Sequence, residues 1–254
     1  MRYETGFLDR TVTLGDAVYR YQVYVPLEFT PTRQWPVILF LHGAGEVGTD
    51  GLLPTEVGLG SALRRYRTRF PALVVFPQLR EHSFWWDAME AQALAALAQT
   101  VQEFQGDPQR LYLTGISRGG YGTWYIASRH PGKFAALAPV CGGLVRPYAM
   151  RPAHVAQMLD STDPYAELAQ RIGSTPAWLF HGDADNIIPV NESRRIQQAL
   201  ITAGNPVRYT EYAGVGHDSW TPAYAEPELC PGYWHNVKDE IHAPNLSQVF
   251  RWDR

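Results

Sequence analysis

Lysine is almost missing from this chain: Lys133 and Lys238 are the only two, and every other basic residue except histidine is arginine. No function follows from that bias, but other scarcities exclude more. Two cysteines, Cys141 and Cys230, in 254 residues make no disulfide framework, and both are read as free thiols. No stretch of about 18 apolar residues occurs, so a membrane-spanning helix is not expected. Basic clusters are absent and the formal charge is −3, which leaves no footing for nucleic acid or an anionic membrane. Met1 opens into alternating polar and apolar residues, without a charged and then apolar leader, so a cytoplasmic location is expected. Repeats and linkers are lacking too.

What is present is ordinary for a soluble enzyme: 45% hydrophobic and 19% charged residues, in a length that suits one α/β domain over residues 1–254. Thr11 to Leu14 and Tyr19 to Val25 alternate around Gly15-Asp16, predicting an antiparallel hairpin at a sheet edge. Further on, Val37 to Leu41, Ala72 to Phe76, Leu111 to Thr114, Phe134 to Val140 and Ala177 to Phe180 are short, nearly continuous apolar runs, as strands covered on both faces are. Val207 to Tyr212 reads as a last strand. Helical spacing falls between the strands, at Met89 to Phe104, Tyr121 to His130 and Asn191 to Ala203. The alternation predicts a mostly parallel sheet with right-handed crossovers and helices on both faces. Residues 142–176, with helical candidates at His154 to Leu159 and Pro164 to Ile172, read either as a small cap or as a surface excursion.

Gly115-Ile116-Ser117-Arg118-Gly119 carries the chemistry. It places a serine between an apolar strand and a helix, where the turn is so tight that only small residues fit two positions before and after. No other serine in the chain is flanked in this way. A serine hydroxyl is a poor nucleophile at neutral pH, so a base must lie within hydrogen-bond reach and a third group must orient that base. The order expected after a strand-to-helix serine is acid, then histidine. His217, in Gly214-Val215-Gly216-His217-Asp218, follows the last strand and is read as the base; His235 and His242 lie in an irregular tail. For the acid, Asp183 and Asp185 compete in the loop after Phe180. Asp185 is preferred because it lies further from the strand end, whereas Asp183 suits nearby backbone amides. A metal site at His181, Asp183 and Asp185 lacks any partner motif, so no metal and no cofactor are expected. The oxyanion needs preformed N–H donors: Arg118 supplies one, and the loop His42-Gly43-Ala44-Gly45-Glu46 the other, with Ala44 first and Gly45 next.

Together these blocks, with Phe76-Pro77-Gln78, Pro139-Val140-Cys141-Gly142-Gly143 and Gly216-His217-Asp218-Ser219-Trp220, resemble small bacterial carboxylesterases of the α/β-hydrolase superfamily, a group that includes feruloyl-esterase-like and polyhydroxyalkanoate-depolymerase-like proteins and predicted peptidases. The resemblance covers roughly Pro36 to Tyr224. It implies an α/β-hydrolase fold, a triad at Ser117, Asp185 and His217, and oxyanion donors at Ala44 and Arg118. Three departures stand out: Arg118 replaces the family's usual apolar residue, residues 142–176 are longer than usual, and the tail from Glu226 to Asn245 does not follow the expected short helix. The expected activity is hydrolysis of small short-acyl or aryl carboxylic esters through an acyl-enzyme. The alternatives are a peptidase using the same triad and a catalytically silent binding module. Trp86 and Trp220, near strand carboxyl ends, are candidates for the substrate pocket or for plain core packing. The expected partner is a small ester; oligomeric state is not legible.

Overall fold

The computed structural model describes residues 3–145 and 161–229. Its first strands, β1 (Gly6–Leu14) and β2 (Ala17–Val25), form an antiparallel hairpin with Leu14 opposite Ala17, each strand starting earlier than the side-chain alternation suggests and ending where it does. Gly15 turns the chain at φ 56°, in the left-handed region that glycine enters without a steric cost. The remaining strands are β3 (Trp35–Leu41), β4 (Leu73–Pro77), β5 (Gly106–Ile116), β6 (Ala136–Val140), β7 (Ala177–Gly182) and β8 (Val207–Tyr212). They complete one sheet in the order β1-β2-β4-β3-β5-β6-β7-β8. β2 meets β4 antiparallel, and every pair from β4 to β8 is parallel. This is an α/β-hydrolase fold.

The sheet is covered on both faces because its central strands carry nearly continuous apolar runs. Val37, Leu39 and Leu41 of β3 point to one face and Ile38 and Phe40 to the other, and all five are fully buried. Helices α2 (Ala88–Glu103), α3 (Arg118–Arg129), α4 (Pro164–Ile172) and α5 (Asn191–Thr202) pack on the first face, through residues such as Leu97, Trp124, Leu168 and Ile196. On the second lie α1 (Leu59–Arg65) and the single turn α6 (Trp220–Ala223), with Leu63 and Tyr224 in the core. α1, at seven residues, is too short to declare a period in the sequence.

Two boundaries differ from the pattern-based expectation. β5 starts at Gly106 and runs through Pro108, a residue expected to lie outside any strand. Five steps along β5, from Gly106 to Leu111, match only two along β3, from Trp35 to Val37, and this bulge houses the proline that cannot donate to the ladder. α3 begins at Arg118 rather than Tyr121, because the Ser117 carbonyl already accepts the amides of Gly120 and Tyr121 at 2.9 and 3.2 Å. Of the two helical candidates within 142–176, Pro164–Ile172 is α4, capped by Asp163, whose carboxylate accepts the Tyr165 and Ala166 amides. His154 to Leu159 lies outside the described residues, as does most of the tail from Glu226 to Asn245.

Candidate active site

Ser117 sits between β5 and α3 at φ 53° and ψ −114°, a conformation that costs a non-glycine residue about 1 to 3 kcal/mol. The surroundings enforce it. A Cβ on Gly115 would stand 2.3 Å from the Gly119 carbonyl oxygen, and one on Gly119 only 1.8 Å from that of Leu41. The two glycines therefore let helix and strands close on the turn, while the Ser117 amide donates to Val140 at 3.0 Å and locks the turn to β6. The side chain is thrust out at the carboxyl end of the parallel strands, half-buried.

Loops from β7 and β8 converge on the same end. A Cβ on Gly182 would lie 2.1 Å from the Val215 carbonyl oxygen, so a glycine is what allows these two loops to touch. Asp183 accepts the Gly214 amide at 2.6 Å, a bond that ties the loops together. Asp185 instead accepts from His217 Nδ1 at 2.7 Å. Since a carboxylate only accepts, the proton is on Nδ1 and the Nε2 lone pair faces Ser117 Oγ, 2.9 Å away. Ser117, His217 and Asp185, 100 and 32 residues apart along the chain, thus stand in one hydrogen-bonded line.

Four donors hold the Asp185 carboxylate. One oxygen takes the Ile187 and Ile188 amides at 2.8 and 2.9 Å; the other takes His217 and, at 3.2 Å, His181. Burial alone pushes a carboxyl upward, but the bonds from His181, His217 and the two amides overcome it and hold Asp185 well below the ordinary carboxylate range. His181 is a positioning residue that sequence patterns did not reveal. Fully buried, it donates from Nε2 to Asp185 and to the Ile188 carbonyl, while Nδ1 accepts the Ser193 hydroxyl at 2.7 Å. His181 and Asp185 thus share a hydrogen bond, while Asp183 is engaged with the Gly214 amide.

Cys141, the residue after β6, is a second unanticipated neighbour. Its sulfur lies within 4.8 Å of an Asp185 oxygen and a His217 nitrogen, the spacing of metal ligands. Asp185 and His217 are bonded to each other, and complete burial pushes the Cys141 thiol far up, so it stays protonated beside the serine.

The loop after β3 forms the opposite wall. His42, fully buried, donates from Nδ1 to the Gly43 carbonyl at 2.8 Å and accepts the Leu79 amide on Nε2 at 2.9 Å. Glu46 accepts the Gly43 amide at 3.0 Å. Gly43 is thereby committed, whereas among the described residues the Ala44, Gly45 and Arg118 amides have no recorded acceptor. Arg118 occupies the first turn of α3, where a helix leaves its amides unsatisfied and the dipole is positive. A built Cβ on Gly43 lies 3.6 Å from the Ser117 Cβ, so this loop flanks the hydroxyl directly.

Of the aromatic candidates, Trp220 stands edge-on to His217 with ring centroids 5.5 Å apart and is partly buried. Trp86 stacks on Phe84 at 4.7 Å and leans on Tyr125 at 5.5 Å, also partly buried. Trp85, Trp124 and Tyr224 are core residues, the Tyr224 hydroxyl meeting Thr114 at 2.8 Å beneath the serine turn.

The model of the prolyl oligopeptidase family matches residues 87–230, which is more than half of the chain and spans the serine turn, Asp185 and His217. The chain belongs to this family. The chain is 28% identical to a poly(3-hydroxyoctanoate) depolymerase of Pseudomonas fluorescens, over 85% of this chain and 79% of that protein. It is 29% identical to an uncharacterized secreted protein of Arthroderma benhamiae, over 83% of this chain but only 24% of that longer protein. Among solved structures it resembles a thermostable esterase with a TM-score of 0.73 and 31% identity, covering 88% of this chain and 61% of that one. Among the described residues, no helix of this prolyl oligopeptidase family member is long and apolar enough to cross a membrane.

Proposed function

We propose that this chain is a cofactor-independent serine carboxylesterase that cleaves small short-acyl or aryl esters through an acyl-enzyme. The observation that carries the reading is the line from Asp185 through His217 to a serine hydroxyl held on a strained turn. In this reading Ser117 Oγ attacks the ester carbonyl carbon as its proton moves to His217 Nε2. The oxyanion forms against the Arg118 amide and that of Ala44, with Gly45 the next choice; each such donor contributes about 3 to 4 kcal/mol. The C–O bond to the alcohol breaks, and His217 returns the proton to the departing alkoxide oxygen. Water, deprotonated by the same imidazole, then releases the acid and regenerates Ser117. Asp185 keeps the imidazole in its Nδ1–H form and balances the charge it carries in between. Trp220 and Trp86 border the pocket.

Esters are favoured because the similar proteins include a depolymerase, 79% of whose length this chain covers, and an esterase, 61% of which it covers. The family's name keeps an amide-cleaving reading as the second. Paired 4-nitrophenyl butyrate and butyryl 4-nitroanilide separate the two: ester turnover with anilide cleavage at least 100-fold slower supports the proposal, and the reverse order makes the enzyme a peptidase.

A further inference from the structure

The Arg118 side chain is not needed for its amide to act, yet it lies at the site and is poorly satisfied. Its Nη1 donates to the Ser83 carbonyl at 3.2 Å and its guanidinium covers the Phe84 ring at 4.7 Å, but Nε is buried without a hydrogen-bond partner. Arg118 forms no ion pair with a carboxylate among the described residues, and among the described arginines its buried, unpartnered Nε sets it apart. Glu46 is the acidic group that feels its charge, and the Glu46 carboxylate is already occupied by the Gly43 amide. A half-buried guanidinium with unused donors is an incomplete anion site: it is partly desolvated, and a planar carboxylate matches its fork.

The strand order says which part of a substrate meets it. Ser117 follows β5, His217 follows β8 on one side, and Ser83 and Phe84 follow β4 on the other. The departing alcohol must face His217, which protonates it. The acyl chain therefore extends the opposite way, toward Ser83 and Arg118, with the Phe84 and Trp86 rings stacked alongside.

We propose that Arg118 is a specificity residue that binds a carboxylate on the acyl chain, so that the preferred substrates are half-esters of dicarboxylic acids and similar anionic acyl groups. This rests on the esterase reading above. No bond beyond those of ester hydrolysis is made or broken.

The probes are mono-4-nitrophenyl glutarate and its methyl-capped diester, which share the scissile bond and differ in one charge at pH 7.5. The wild-type protein should turn over the acid with kcat/KM about tenfold or more above the capped ester, as a charge-assisted contact to carboxylate implies. Arg118→Met should bring that ratio to about one, Arg118→Lys should retain part of it, and Glu46→Gln, by removing the competing charge, should raise it. Because the ratio is read within each variant, any loss of turnover common to both esters cancels. Equal rates on the two esters in the wild type overturn the proposal while leaving the esterase reading intact. A wild-type protein that cleaves neither ester overturns both.

Discussion

Among the described residues, two places set a histidine 2.7 Å from a carboxylate: His217 on Asp185, and His130 on Glu90. Both carboxylates are buried, with side chains 0% and 8% exposed. What differs lies beyond the imidazole. The far nitrogen of His217 meets the Ser117 hydroxyl, on a turn that two glycines and three strand ends hold in a strained conformation. His130 ends α3, its far nitrogen meets no hydroxyl among the described residues, and Glu90 shares its charge with Arg129 at 3.0 Å. A histidine–carboxylate pair is therefore a structural commonplace, and in the proposed reading the chemistry comes from the third group and from the backbone that aims it.

The comparison breaks most sharply at the hydroxyl. Ser117→Ala should lower kcat on 4-nitrophenyl butyrate by about 10⁴ to 10⁶ with the fold intact by circular dichroism; wild-type turnover in a folded variant would sink the assignment. Asp185→Asn should come next, at about 10⁴ in kcat, because an amide no longer selects the Nδ1–H form of His217. The same carboxylate links folding to pH. Its folded pKa is depressed below the ordinary 3.8, so its stabilisation is complete above about pH 5 and drains away as pH falls toward the folded value. Acid unfolding of Asp185→Asn followed by tryptophan fluorescence should consequently be less steep than that of the wild type below about pH 4.

Smaller effects should separate scaffold from chemistry. Gly119→Ala places a methyl on the Leu41 carbonyl and should cost about 3 kcal/mol or prevent folding, measured by urea denaturation. Glu90→Gln, at the companion pair, should cost only about 1 kcal/mol, since Arg129 and His130 are substantially solvated, and should leave kcat/KM within about twofold. A tenfold loss of activity there would erase the distinction drawn between the two pairs.

The fold was readable from sequence wherever burial on both faces leaves uninterrupted apolar runs, as at Val37 to Leu41 and Ala177 to Phe180. It was less readable where tertiary pairing overrides a local signal. Pro108 sits in a bulge that only the neighbouring β3 explains, and α1 is too short to show a period. At the site, the meeting of Ser117, Asp185 and His217 was legible because a tight turn and its flanking loops leave marks in glycine placement and chain order. His181, Glu46 and Cys141 left no such mark. Their parts depend on partners that the fold supplies: a carboxylate four residues away on a curled loop, a loop amide, and a strand end beside the serine.

Covalent labelling with a fluorophosphonate tests the central geometry most directly, since it reads the power of the hydroxyl without a choice of substrate. The account predicts a single adduct on the peptide carrying Ser117, formed at least 100-fold more slowly in His217→Gln and Asp185→Asn. An adduct on another residue, or labelling of Ser117 at an unchanged rate in those variants, would contradict it.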